Sequence, residues 1–176
     1  MTVEEWEKLE GDWELIEGEP HKMASGSHHH GEVGGDLYTD ISNYFRQRRN
    51  IRVIYDHDIH LDENTVLRPD IMVLDSNYRI GGNKFHGVPD LVVEVLSPST
   101  MSRDLRDKFD IYQKFGVREY WIVHPSDKCI DLYLLEDGLF KKMLFYEYNE
   151  AKDSQIKSFI YPDLLIDPHF VFGDRD

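Results

Sequence analysis

Pro89-Asp90-Leu91-Val92-Val93-Glu94-Val95-Leu96-Ser97-Pro98-Ser99-Thr100 is the stretch whose reading decides the fold. Leu91 to Leu96 is almost continuously aliphatic, the pattern of a strand covered on both faces. Ser97-Pro98 breaks it, and residues 103–115 then return to helical period, closed by Gly116 where a helix C-terminal glycine belongs. Glu119-Tyr120-Trp121-Ile122-Val123 is a second central strand, ended by Pro125. A strand, a helix and a strand in this order define a β-α-β unit at the heart of the molecule.

Working outward toward the N-terminus, Asp70-Ile71-Met72-Val73-Leu74 forms a strand after Pro69, and Gly81-Gly82-Asn83 marks a loop. Residues 52–55 and 58–61 are β-like. Val33, Leu37, Ile41, Tyr44 and Phe45 recur at helical spacing, which predicts a helix over 31–48. Trp13 to Ile16 enters a first strand that turns at Gly18, and residues 3–10 read as a short acidic helix. Thr2 and Glu5 form a capping-box pair at its start. Toward the C-terminus, residues 129–135 and 139–148 alternate around Glu136-Asp137-Gly138, a hairpin. The expected fold is α/β (α+β): one mixed sheet with helices packed on it, in a single domain spanning 1–176.

Glu94 is the sharpest chemical anomaly. A carboxylate flanked by Val93 and Val95 in a buried strand needs a cation, a metal or a proton. A structural lysine or arginine would meet that need as well. Asp70 begins an apolar strand after Pro69; alone it would read as a turn cap. Two carboxylates from adjacent strands, however, make the oxygen-rich site that Mg²⁺ prefers, with Mn²⁺ as the alternative ion. Lys108 lies within the apolar stripe of its helix, among Leu105, Ile111, Tyr112 and Phe115. It either snorkels to water or points at something negative. Asp, Glu and Lys together are the minimal parts for phosphodiester hydrolysis, in which a metal activates water and a cation stabilises developing charge.

The charge balance weighs against this chemistry. With 34 Asp and Glu against 20 Lys and Arg, the net charge is −14, which opposes sequence-independent binding of nucleic acid. Arg46, Arg48, Arg49 and Arg52 form the one basic cluster, readable as a nucleic-acid contact or as a solvated helix end. The single cysteine, Cys129, excludes an internal disulfide and reads as a packed strand residue. Met1 to Trp6 has no signal-peptide core and no apolar run has membrane-spanning length, so the expected compartment is the cytoplasm, with no membrane partner.

Arg68-Pro69-Asp70, the block Pro89 to Thr100, Arg103-Asp104-Leu105 with Lys108 and Tyr112, and Gly116 to Val123 resemble the Uma-two restriction endonuclease family. Trp13 to Glu19 resembles that family's N-terminal signature, and His30 falls where the family often carries a histidine. The resemblance spans nearly the whole chain. It implies the PD-(D/E)XK restriction endonuclease-like fold, with Asp70 as the motif's Asp and Glu94 as its acidic partner. Leu96 stands where the motif lysine belongs, two residues after Glu94, and the resemblance implies Lys108 as its replacement from the following helix.

Glu14 is a further candidate for the metal, and His30 for a phosphate contact or proton shuttle. A surface carboxylate and a histidine in a loop before the helix are the plainer readings. His57 and His60 lack a recognisable zinc ligand set. The leading function is a Mg²⁺-dependent endodeoxyribonuclease acting on DNA, with RNA as the other substrate. The alternative is a catalytically inactive nuclease-fold module that binds nucleic acid or protein. The aromatic hairpin, with Leu139, Phe140, Phe145, Tyr146 and Tyr148, offers a surface for a homodimer.

Overall fold

Alternation of side chains across a strand explains the main layering. In the computed structural model, Leu91, Val93 and Val95 point to one face of the central sheet, while Val92, Glu94 and Leu96 point to the other. The described residues are 1–23, 26–75, 78–97, 101–149 and 155–173, with 101–105 described by backbone alone. The expected break at Pro98-Ser99-Thr100 lies outside them.

The elements run α1 (Val3–Trp6), β1 (Trp13–Ile16), β2 (Glu19–Lys22), α2 (His28–Phe45), β3 (Arg52–Tyr55), β4 (Ile59–His60), β5 (Val66–Leu67), β6 (Ile71–Leu74), β7 (Tyr78–Gly81), β8 (Lys84–Gly87) and β9 (Leu91–Val95). There follow α3 (Met101–Phe115), β10 (Glu119–His124), β11 (Cys129–Glu136), β12 (Leu139–Glu147), β13 (Ile156–Lys157), β14 (Leu165–Ile166) and α4 (Pro168–Phe172). The strands form two six-stranded sheets and one small pair, where the sequence suggested a single mixed sheet.

The main sheet has the order β12-β11-β10-β9-β6-β3. Its β9–β10 pair is parallel and bridged by α3, as the β-α-β reading required; its other pairs are antiparallel. The hairpin extends this sheet. Asp137 and Gly138 both take left-handed φ, +53° and +77°, the backbone of a two-residue turn that matches strand twist. One face of the sheet packs on Val33, Leu37, Ile41 and Phe45 of α2.

The second sheet has the order β2-β1-β5-β4-β8-β7. Of its strands, β1 matches the expected run Trp13 to Ile16 and β4 falls within the β-like run 58–61, whereas β5, with two residues, is too short for a hydrophobic period to reveal. Ile59 and Leu67 join Val92, Leu96, Ile111 and Tyr112 in a core on the inner face of this sheet. On its outer face Leu15 and Val66 pack with Trp6 of α1.

Four helix bounds differ from expectation, among them the end of α2 at Phe45 and the start of α3 at Met101. The first helix stops at Trp6, the only residue of α1 that is buried, because Glu7 to Glu10 carry no side chain for the core beyond a partly buried Leu9. The long helix begins at His28 because the Ser27 hydroxyl accepts the His30 backbone N–H as N-cap. The three histidines are thus its first turn and not a loop.

Candidate active site

Asp70 precedes β6, and β6 pairs with β9, the strand that carries Glu94. The two strands part just beyond Ile71, paired with Val93. There the Val95 N–H donates to Asp70 Oδ2 at 2.6 Å. A side-chain carboxylate therefore prolongs the ladder where backbone pairing ends. Asp70 Oδ1 lies 3.0 Å from His30 Nε2, delivered by the first turn of α2. The bond to Asp70 raises the His30 pKa against the opposing effect of burial, and the charges of Asp70, Glu94 and Asp56 add to it.

Glu94 points from the other face of β9 toward α3 and is buried. Lys108 Nζ donates to its two oxygens at 3.1 and 3.3 Å, and the Tyr112 hydroxyl donates to Oε1 at 2.7 Å. Lys108 and Tyr112 are four apart, so one helix face brings both to the same carboxylate. Lys108 Nζ also lies 2.9 Å from Glu14 Oε1, an oxygen that accepts the Arg68 backbone N–H at 2.8 Å. Glu14 and Ile16 share the inner face of β1 by alternation, which explains why an acidic strand residue is buried here.

Burial pushes the Glu94 carboxyl up to about 8, opposed by Lys108 and reinforced by the charges of Asp70 and Glu14; the Tyr112 bond works the other way. Burial alone would lower Lys108, but Glu14 and Glu94 hold it well above its ordinary value. Lys108 is thus a permanent cation. Glu14, Asp70 and Glu94 lie around Lys108 and His30, and the raised Glu94 carboxyl keeps its proton at neutral pH.

Glu14, His30, Glu94 and Lys108 come together from four separate elements, and Asp70 joins them from the residue before β6. Leu96, two residues beyond Glu94, packs in the inner core with Val92 and Ile111, and this face receives its lysine from α3. Arg52 opens β3 opposite Leu74, at the end of that pairing away from Ile71, and Arg46, Arg48 and Arg49 follow the far end of α2, roughly 24 Å from His30 to Arg46 at about 1.5 Å per residue. There Arg48 lies over the Tyr44 ring, 4.8 Å from its centroid. His57 and His60 belong to the second sheet's outer side.

Tyr112 is the contributor that sequence reasoning left in the apolar stripe; its signal was the four-residue spacing from Lys108. The backbone donors of Arg68 and Val95 had no signal, since they depend on where strands separate. Not every buried acid belongs to the cluster. Asp90 accepts the Asp75 backbone N–H at 3.0 Å, and Glu119 serves the C-terminal segment.

Among the described residues no group of three or more His, Cys, Asp and Glu forms a metal cage. Asp70 and Glu94 supply a two-carboxylate oxygen set, with both oxygens of Asp70 engaged by His30 and the Val95 N–H and both of Glu94 by Lys108. Such a set fits Mg²⁺ or Mn²⁺, which take one or two carboxylates and otherwise keep water or substrate oxygen.

A family described as "Putative restriction endonuclease" (Uma2) matches residues 2–165. A solved structure described as a "putative nuclease belonging to DUF820", from Anabaena variabilis, superposes with a TM-score of 0.81 at 18% identity. That match covers 98% of this chain and 97% of the other. No curated protein matches the sequence.

Proposed function

The chain belongs to the Uma2 family of restriction endonuclease-like proteins, and from that premise we propose that it is a metal-dependent endonuclease that hydrolyses phosphodiester bonds of DNA. The observation that carries this reading is the cluster itself: Asp70 and Glu94 from adjacent strands, with the charged Lys108 against Glu94. Asp70 and Glu94 are the residues that would hold Mg²⁺ or Mn²⁺. When bound, such an ion supplies Lewis-acid polarisation of the phosphate and acidifies a water.

The remaining roles fall to the chain's own side chains. His30 and the Val95 N–H fix both oxygens of Asp70, so that its orientation is set before substrate arrives. Tyr112 and Lys108 do the same for Glu94. Lys108 stands as the cation that faces charge developing on the scissile phosphate, and Glu14 positions its ammonium.

Plasmid nicking with Mg²⁺ or Mn²⁺ tests the reading. Wild type should nick, and Asp70→Ala and Glu94→Gln should each lose at least a hundredfold in rate. Nicking that survives both substitutions overturns it.

A second reading is favoured by the same contacts. Lys108 is satisfied by Glu14 and Glu94 without any ligand, as in a buried ion cluster that serves folding alone. A non-catalytic nuclease-fold module would show no heat of Mn²⁺ binding at millimolar concentration while remaining folded. RNA cleavage under the same conditions would redirect the substrate class. The homodimer rests on Leu139, Met143 and Phe145, exposed on β12 at the margin of the main sheet. A monomeric mass in sedimentation at high concentration would remove it.

A further inference from the structure

Trp13 and Glu14 are neighbours in β1 and therefore project to opposite faces of the second sheet. Glu14 enters the acidic cluster; Trp13 faces a cavity of about 270 Å³ on the outer side, lined by Trp6, His57, His60, Arg68 and Lys84 among others. The two places are one residue apart. β1 opposes β5 with Leu15 facing Val66, so Trp13 and Arg68 stand across from each other at the sheet's rim. The Arg68 backbone N–H holds Glu14, while its side chain reaches round to the cavity.

The cavity is built of fixed rings. Trp6 Nε1 donates to the Trp13 carbonyl at 3.0 Å, and Trp13 Nε1 donates to the Glu10 carbonyl at 2.8 Å. Both indoles have thus satisfied their only polar group internally; Trp6 is buried, and the half-buried Trp13, with Lys22 over its ring, is the more accessible of the two. Gly11, at φ +95° beside Trp13, puts no side chain over that ring. His60 packs edge-on to Trp6 and stacks on His86, with centroids 4.8 Å apart. Burial pushes its pKa down, as do the charges of His86 and Lys84, so the ring is neutral.

The charges at the rim are already paired. Arg68 binds Asp58 and Asp12, each at 2.8 Å, and Lys84 binds Glu7. Among the described residues that line the cavity both cations are paired and their acids engaged, while one further cation, Lys22, stands 5.9 Å from the Trp13 ring centroid. What remains is aromatic surface in a space at the lower end of small-ligand sites. A net charge of −14 opposes holding nucleic acid mainly by displacing counterions, whereas stacking on aromatic rings needs no charge.

We propose that this cavity is a stacking subsite for a single unpaired base of the nucleic-acid strand, flanking the phosphate held at the acidic cluster. The proposal rests on the nuclease reading for the identity of its ligand. The strand crosses the rim of the second sheet between Glu14 and Trp13, and the base leaves its neighbours to lie against Trp13 and Trp6.

The test uses the full chain carrying Asp70→Ala, to prevent cleavage, and single-stranded DNA with one 2-aminopurine moved along the oligonucleotide. Stacking on tryptophan quenches the probe. Quenching at one or two adjacent positions is expected, with affinity by anisotropy about tenfold or more weaker after Trp13→Ala. Should Trp13→Ala fail to fold, Asn83→Met fills the cavity from an exposed loop without adding an aromatic ring and should abolish quenching in a folded protein. Absence of position-specific quenching, or quenching unchanged in these variants, overturns the subsite. Plasmid nicking by the chain with Asp70 intact separates the two ideas: nicking without quenching sinks the subsite alone, and quenching without nicking sinks catalysis alone.

Discussion

At the scale of single residues, Lys108 carries the greatest energetic consequence. It is buried between Glu14 and Glu94, and removing it leaves two buried acids without a cation and Glu94 still more strongly protonated. Lys108→Met should therefore destabilise the metal-free protein by about 3–5 kcal/mol in urea titration. Adding Glu14→Gln and Glu94→Gln should recover a large part of that loss; no recovery would mean that packing, not charge, sets the cost. Glu94 itself makes stability depend on pH. Its folded value of about 8 lies above the ordinary value of 4.5, so the fold prefers the protonated form. That stabilisation is complete at acid pH and is lost as pH rises through about 8. Between about pH 5 and about pH 9, metal-free wild type should lose stability relative to Glu94→Gln, and parallel urea midpoints would contradict the assignment.

At the scale of elements, β10 is locked to the C-terminal segment by one buried acid. Glu119 Oε1 accepts the Trp121 indole N–H at 2.6 Å, and Oε2 accepts the Ser158 hydroxyl and the backbone N–H groups of Phe159 and Ile160 at 2.9–3.0 Å. A glutamine must turn its NH₂ toward one of these donors. Glu119→Gln should cost on the order of 2 kcal/mol, and an unchanged thermal midpoint would refute the clasp. This element-level link was illegible beforehand, because Glu119 opens a strand and its donors come from a turn about forty residues away. The aliphatic run around Glu94, the α3 stripe and the Asp137-Gly138 turn were legible, since each has a strong local period or a backbone requirement. Of the second sheet only β1 and the run around β4 were legible. A two-residue strand such as β5 takes its stability from being laid against α3 and β9, and a short piece of that kind leaves no periodic trace. The same contrast holds in the cluster: Asp70, Glu94 and Lys108 announce themselves by standing in apolar surroundings, whereas Trp13 looks like any core aromatic.

At the scale of the whole molecule, net charge and site placement pull in opposite directions. The chain is strongly acidic, and its arginine group lies at the end of α2 remote from His30. Binding of single-stranded DNA should accordingly depend only weakly on salt, with a log–log slope corresponding to about one to three phosphate contacts. A steep slope, abolished by reversing the charge of Arg46, Arg48, Arg49 and Arg52 together, would instead make that remote group the main docking surface. One bond described above turns the molecule into its own gauge. Because the Val95 amide rests on Asp70 and not on a neighbouring strand, its hydrogen exchange reads the carboxylate directly. Deuterium uptake at Val95 should quicken in Asp70→Ala while Val92 and Val93, held within paired backbone, keep their protection; equal acceleration along the strand would mean that the carboxylate is a structural pillar of the sheet.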